Sequence, residues 1–355
     1  MYVPILKWRQ GEYLALERLD SHVKDHVMPL IEIPPIGWDF EKGRLAKTID
    51  QHLEKFAHRF HSKWKERSAF IDLALLDPTH RMIDTSHPMT YVFNGVRDLG
   101  ESAIPVTGLS RDNDYQEAVR RVVEFDKKGL CVRLVFEDIA KNDAEVLLDA
   151  LSLFHKVNIR DIDIVLDLKS PNFHPIDHFA RALNMALRRL PKISQYRTFT
   201  LAATSFPKTM GQMKRGSQII ERSEWLLYKT FVSKNTELKL KPQFGDYAIA
   251  HPSLPELDMR LLKPAASLRY TVDDSWYIGK GTNVRDNGFG QYVDICGSLV
   301  SEGYFLGSGY SKGDLYILAC SERRGSTGNL SVWRWVGTNH HITKVVRDIA
   351  SFHGT

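Results

Sequence analysis

A chain of 355 residues with 43% hydrophobic and 26% charged side chains can bury a sizeable core without covalent help, and this balance excludes wholesale disorder. Its net charge of +5 is spread without any long lysine or arginine run, which argues against a dedicated nucleic-acid stripe while leaving a nucleotide or nucleic-acid ligand open. Three cysteines (Cys131, Cys296 and Cys320) stand in no CxxC pair, so neither a disulfide framework nor structural zinc is expected. No basic leader precedes a long apolar run, and no stretch approaches the roughly 20 apolar residues that span a bilayer. The expectation is a cytoplasmic protein without a membrane partner.

Short runs rich in Val, Ile, Leu and Phe recur along the chain at 2–7, 27–33, 69–74, 103–109, 130–136, 163–169, 198–204 and 245–250. Several are apolar on both faces, as strands buried between a barrel interior and a helix layer must be. Amphipathic stretches separate them. The first puts Leu16, Leu19 and Val23 on one stripe, and the second repeats Leu45, Ile49, Leu53, Phe56 and Phe60. Later ones cover DYQEAVRRVVEF, AEVLLDALSLFHKV with Asn142 or Asp143 as N-cap, and PIDHFARALNMALRRL with proline at its start. This alternation, repeating near 30 residues, predicts βαβ units and a parallel sheet. Eight strands without a GxGxxG after the first favour a TIM-like (β/α)8 barrel over an open dinucleotide-binding sheet. Residues 1–266 are assigned to the barrel, and 267–355 to a C-terminal closing segment of hairpin and helices packed on it within one domain.

In such barrels the carboxyl ends of the strands and the loops after them surround the functional site. Those positions hold Lys7, Arg9, Glu32, Asp72, Thr107, Arg111, Arg133, Glu137, Asp138, Asp167, Lys169, Thr204, Ser205, Asp246 and His251. Glu32 lies between Ile31 and Ile33, Asp72 between Ile71 and Leu73, and Asp167 between Leu166 and Leu168. A carboxylate in an apolar strand loses hydration worth several kcal/mol unless a cation, hydrogen bonds or a metal compensates it. Two readings follow. Glu32, Asp72 and Asp167 could hold a hard cation such as Mg²⁺ or Mn²⁺, or they could form a salt-bridged layer with Lys7, Arg133 and Lys169.

Other candidates are weaker. The adjacent His340 and His341 would point about 100° apart on a helix, which disfavours a shared metal; Thr338 or Asn339 is read there as a helix N-cap. The glycine-containing IGKGTN (278–283) could cradle a phosphate with Lys280, but a hairpin or turn is the simpler reading. Ser205, Ser308 and Ser311 lack a GxSxG elbow. A carbohydrate site would need aromatic platforms, and only Trp8 and Trp38 fall near strand ends.

The opening YVPILKWRQGEYLALERL, followed by VMPLIEIPP and later by FGDYAIAHP, ASLRYT, SKGDLYILA and WRWVGTNHHIT, resembles the phage "beta protein" family in order and spacing. Such proteins are carried by phages, prophages and bacterial defence loci, so the resemblance implies a context of phage exclusion or anti-phage defence. It implies no catalytic residue. The matching positions are Lys7, Gly11, Glu12, Glu32, Pro34, Asp246, Tyr247, Arg269, Tyr270, Gly313, Asp314, Trp333, Arg334, His340 and His341. Arg269, Arg334, His340 and His341, in the closing segment, would form an anion-binding set opposite the carboxylates if that segment folded over the mouth.

The expected site therefore comprises Lys7, Arg9, Glu32, Asp72, Arg133, Asp167, Lys169, Asp246 and Arg269. The leading reading is a binding role in phage exclusion, with a phage product, a nucleotide or a neighbour-encoded defence protein as partner. The alternative is a metal-dependent phosphodiesterase or nuclease, working through a metal-bound hydroxide at Glu32, Asp72 and Asp167.

Overall fold

The apolar runs form strands where β-branched and aromatic residues alternate between two buried faces. In the computed structural model, which describes residues 1–235, 241–253 and 263–354, eight of them make the barrel. These are β1 (Tyr2–Lys7), β2 (Leu30–Glu32), β3 (Ala69–Asp72), β4 (Ala103–Thr107), β5 (Leu130–Leu134), β6 (Ile162–Asp167), β7 (Thr198–Ala203) and β8 (Gln243–Asp246). Every pairing is parallel and between sequence neighbours, and β8 returns to β1 through Tyr2↔Phe244 and Pro4↔Asp246. The expected (β/α)8 barrel is therefore the observed one.

Strand alternation sorts the side chains. Val3, Ile5, Leu30, Phe70, Ile104, Val106, Cys131, Val165 and Ala202 fill the barrel interior. Their outward neighbours, among them Tyr2, Leu6, Ile31, Ile71, Val132 and Leu166, join the core beneath the helices. Leu16, Leu19 and Val23 are buried as expected, as are Ile49, Leu53, Phe56 and Phe60. Leu45 is not: it lies in a two-residue hairpin strand before the helix and is exposed. The helix begins after it, where Thr48 and Gln51 form a reciprocal capping box.

Beyond the barrel, an antiparallel sheet has the order Gly216–Glu221, Ser275–Asn283, Ala265–Val272. Its outer strand comes from between β7 and β8, so the closing unit draws on both sides of the eighth strand. IGKGTN lies on the second arm of the hairpin, as β-strand, and Lys280 Nζ donates to the Met213 carbonyl at 2.7 Å. The apolar run in GYSKGDLYILACS is the helix Lys312–Ser321.

The final helix runs over Leu330–His353 and begins well before the histidines. Asn329 is its N-cap, accepting from the amides of Ser331 and Val332 at 2.9 and 3.1 Å. The N-cap reading of Thr338 and Asn339 is thus corrected: both sit in the helix interior, and the Asn339 amide joins the Gly313 amide nitrogen to the Ala15 carbonyl. Nearly every position from Trp333 to Val346 is buried, so the stripe that marks a surface helix is absent there. Ile342, Val345 and Val346 share a core with Tyr2, Leu16 and Phe244. This helix covers β1 and β8 and takes the eighth place in the outer layer, with 265–329 inserted ahead of it.

Close helix contact fixes one glycine. A Cβ at Gly313 would overlap the Val336 carbonyl of the final helix, whereas one at Gly309 would meet nothing within 4 Å. Gly313→Ala should lower stability by about 1–3 kcal/mol, as overpacking does, and Gly309→Ala should leave it unchanged; urea midpoints compare the two.

Candidate functional site

Glu32, Asp72 and Asp167 end their strands, and Arg133 stands one residue from the end of its own, with Lys7 paired to Glu32 and Glu32 to Asp72 across β1, β2 and β3. The Arg133 guanidinium stands at their centre. Its Nη1 donates to Glu32 Oε1 at 2.9 Å and to Asp72 Oδ2 at 2.8 Å. Its Nε and Nη2 reach Asp167 Oδ2 at 3.1 and 2.8 Å. Nη2 also meets the Tyr247 hydroxyl at 2.8 Å, and that hydroxyl donates to Asp167 at 2.6 Å. Backbone amides finish the carboxylates: Ala74 on Asp72 and Lys169 on Asp167, each at 2.9 Å. Arg111 lies 3.4 Å from both Asp72 oxygens.

Electrostatics follow from this packing. Burial alone would raise the Asp72 carboxyl, but the Arg111 and Arg133 guanidiniums outweigh it and hold the group below the usual carboxylate range. Burial opposes the charge on Arg133 as well; Tyr247 and the three carboxylates reverse that and keep it firmly protonated. Burial pulls Lys7 down, with Glu32 working against the shift. Three carboxylates thus face three cations, Lys7, Arg111 and Arg133, and the layer is close to neutral.

The test of the metal reading is geometric. A divalent ion needs several free oxygens around one point, and here that point is filled by a guanidinium to which all three carboxylates are bonded. Among the described residues, no group of three or more His, Cys, Asp or Glu side chains could hold a metal ion. As folded, the set does not fit Mg²⁺ or Mn²⁺; it matches the salt-bridged layer, with Arg133 as the main counter-ion.

Above the layer opens a cleft of about 550 Å³, lined by Glu32, Arg111, Arg133, Asp138, Asp167, Lys169, Tyr247 and His251 among others. Its size is that of a small-molecule or peptide side-chain site. Glu32 Oε2, at its floor, is buried without a hydrogen-bond partner, and Lys7 is 3.9 Å away. Lys7 itself donates to the His251 carbonyl at 3.0 Å. Lys169 is exposed at the rim and serves the layer through its backbone amide on Asp167. Gly108, also on the rim, is held 2.8 Å (as its would-be Cβ) from the Arg133 carbonyl, so a side chain there would push β4 and β5 apart.

Three expected site residues lie elsewhere. Arg9 is exposed and does not line the cleft. Asp246 points outward, away from the mouth, because Gly245 pairs with inward Val3 and the alternation then makes Tyr247 the next inward residue. The Asp246 carboxylate accepts from Tyr2 Oη, from the Ala248 amide at 2.8 Å and from His341 Nε2 at 2.9 Å, and His341 Nδ1 meets Thr271 Oγ1 at 2.7 Å. His340, stacked 3.7 Å from Tyr270, bonds Asp314 and the Thr271 carbonyl, both at 2.8 Å. His341 ties the final helix to β8, and His340 ties it to the closing segment. Arg269 bonds the Ile249 carbonyl beside the mouth and is absent from the cleft lining. Trp8 is buried against Phe56 and Phe60, so it offers no sugar platform.

Nearby, Glu224 is fully buried, with Ser205 on one oxygen and Arg222 3.8 Å from the other. Burial pushes its carboxyl up to about 7, against the pull of Arg222. Sequence reading passed over Tyr247 and Glu224. Tyr247 belonged to a family-matching block but not to the charged set, and Glu224 lies in a helix with no strand context to mark it.

The profile of a family described as "Beta protein" matches residues 2–347. No curated protein matches the chain.

Two outcomes are expected. Arg133→Met removes the counter-ion shared by three buried carboxylates, leaving only Lys7 beside Glu32 and Arg111 beside Asp72, and should cost about 3–5 kcal/mol at pH 7; protonation of the carboxylates should narrow the gap toward pH 4, as denaturation at several pH values will show. Glu224 has a raised folded pKa, so its stabilising contribution is full below the free carboxyl value and is lost as pH rises through about 7. Glu224→Gln should therefore gain on the parent between pH 5 and 8 in thermal unfolding, and a constant difference would refute the assignment.

Proposed function

The chain belongs to the Beta protein family, and from that premise we propose that it acts in phage exclusion by binding a phage product or a neighbour-encoded partner protein at the barrel mouth. One observation carries this reading. All three mouth carboxylates are already engaged by Arg133, so the layer is a preformed, charge-balanced floor and not a set of free bases or metal ligands. Such a floor suits recognition: its groups are fixed before a ligand arrives, which lowers the ordering cost of binding. Exposed Lys169 and half-buried Arg111 on the rim supply charge that a partner can meet.

The family's association with phages, prophages and defence loci supports the context, through the resemblance of the sequence blocks given above. Among the described residues no helix is long and apolar enough to cross a membrane. The phosphodiesterase alternative would require the guanidinium to leave its three partners before any metal could enter.

The decisive experiment expresses the chain with its neighbouring gene product and challenges the cells with phage. Lys169→Glu should abolish both co-purification and protection while leaving thermal stability near that of the parent. Metal-dependent phosphodiester hydrolysis by the purified chain, lost in Asp167→Asn, would overturn the proposal in favour of catalysis.

A further inference from the structure

Beside the mouth, on the seam between β1 and β8, two arginines meet. Arg269 Nη1 and Arg334 Nη1 both donate to the Ile249 carbonyl, at 2.9 and 3.0 Å. Both side chains are half-buried. Arg334 has one carboxylate near it, Glu12, at 3.7 Å, and Arg269 has none within ion-pair distance among the described residues. Lys7 lies in the same field: Arg9 and Arg334 both act against its charge, while Glu32 and Glu12 favour it. The local balance is positive.

This concentration is built into the backbone. A side chain at Gly11 would overlap Arg334, and a Cβ at Gly337 would come within 2.8 Å of the Arg269 carbonyl oxygen and 2.7 Å of Ile249 Cδ1. Gly11 lets the first helix, and Gly337 the strand Ala265–Val272, lie close against the last helix, which brings the two guanidiniums to one carbonyl. The Phe206 ring lies 5.3 Å from the Arg269 guanidinium and supports it as a cation–π partner. One carbonyl occupies a single donor of each arginine, so each fork keeps further N–H groups to offer.

Two like charges held together out of bulk water repel one another, and burial with the neighbouring Arg334 lowers the Arg269 pKa to about 9. An oxyanion placed across both forks would remove that penalty and accept the unused donors. Arginine pairs suit phosphoryl oxygens because the planar fork matches them in a bidentate fashion.

We infer that Arg269 and Arg334 form an anion subsite for a phosphoryl group, distinct from the charge-balanced mouth. This inference goes beyond the partner-binding reading and does not require it. The probes are inorganic pyrophosphate and a nucleoside triphosphate, titrated into the full chain at constant ionic strength with sodium chloride as the comparison. Pyrophosphate should raise the unfolding temperature beyond the chloride control. Arg269→Gln and Arg334→Gln, each retaining an amide donor for Ile249, should weaken binding about tenfold or more by calorimetry.

Glu12→Gln supplies the arm that a purely structural role would not move. Removing the one nearby carboxylate should increase the pyrophosphate-dependent shift even if the variant itself is less stable. Tighter binding of the triphosphate than of pyrophosphate would show that a nucleoside adds contacts; equal binding would assign the site to the phosphoryl group alone. Shifts no larger than those in chloride, or shifts unchanged in both arginine variants, would overturn the inference. Loss of phage protection without loss of pyrophosphate binding would count against the partner-binding reading only.

Discussion

The guanidinium of Arg133 is the constraint on which the barrel mouth depends. It links the ends of β2, β3 and β6 with the residue after β8, through hydrogen bonds of 2.8 to 3.1 Å to Glu32, Asp72, Asp167 and Tyr247. Buried ion pairs of this kind add little net stability compared with a well-packed apolar layer. Their effect here is on uniqueness. A slip of one residue in any contributing strand would turn its carboxylate outward and leave Arg133 short of a partner, so the network selects the register that the apolar layers below would only favour.

A second polar network does the corresponding job outside the barrel. Asp246 and Tyr247 are adjacent, yet one serves the outer seam with Tyr2 and His341 and the other the inner mouth with Arg133. The single-residue alternation of β8 thereby connects the closing segment to the functional layer. Asp314, which accepts from Tyr270, Ser311 and His340, extends the outer network into the closing segment. Several of the family's sequence blocks turn out to be parts of this seam: Gly11 and Glu12 with Arg334, and Gly313 against the final helix.

Much of this was legible in the sequence. The eight apolar runs located all eight barrel strands, and the three carboxylates embedded in apolar neighbours marked the mouth layer. Local pattern could not choose between a cation and a guanidinium at its centre, because which side chain reaches the barrel axis is decided only when β5 closes against its neighbours. Asp246 was misplaced for a related reason. Its face is set by the pairing with β1, where inward Val3 stands beside Gly245, and the local sequence does not show that pairing. The final helix was read too short because a helix buried on all sides shows no stripe, and WRWVGTN offers none.

The place of that helix has a consequence for the order of assembly. Ala15 accepts a hydrogen bond from Asn339, and Tyr2 reaches Asp246, so the first strand and first helix find their outer cover more than two hundred residues later. A chain emerging from the ribosome would carry β1 with its edge unpaired until Asp246, and its outer face uncovered until the final helix, had been made. Contacts of such long sequence separation carry a high entropic cost before they yield any stabilisation. Closure of the seam is accordingly a late event in synthesis, and the exposed edge before it is the segment most open to capture by a chaperone or by a second nascent chain.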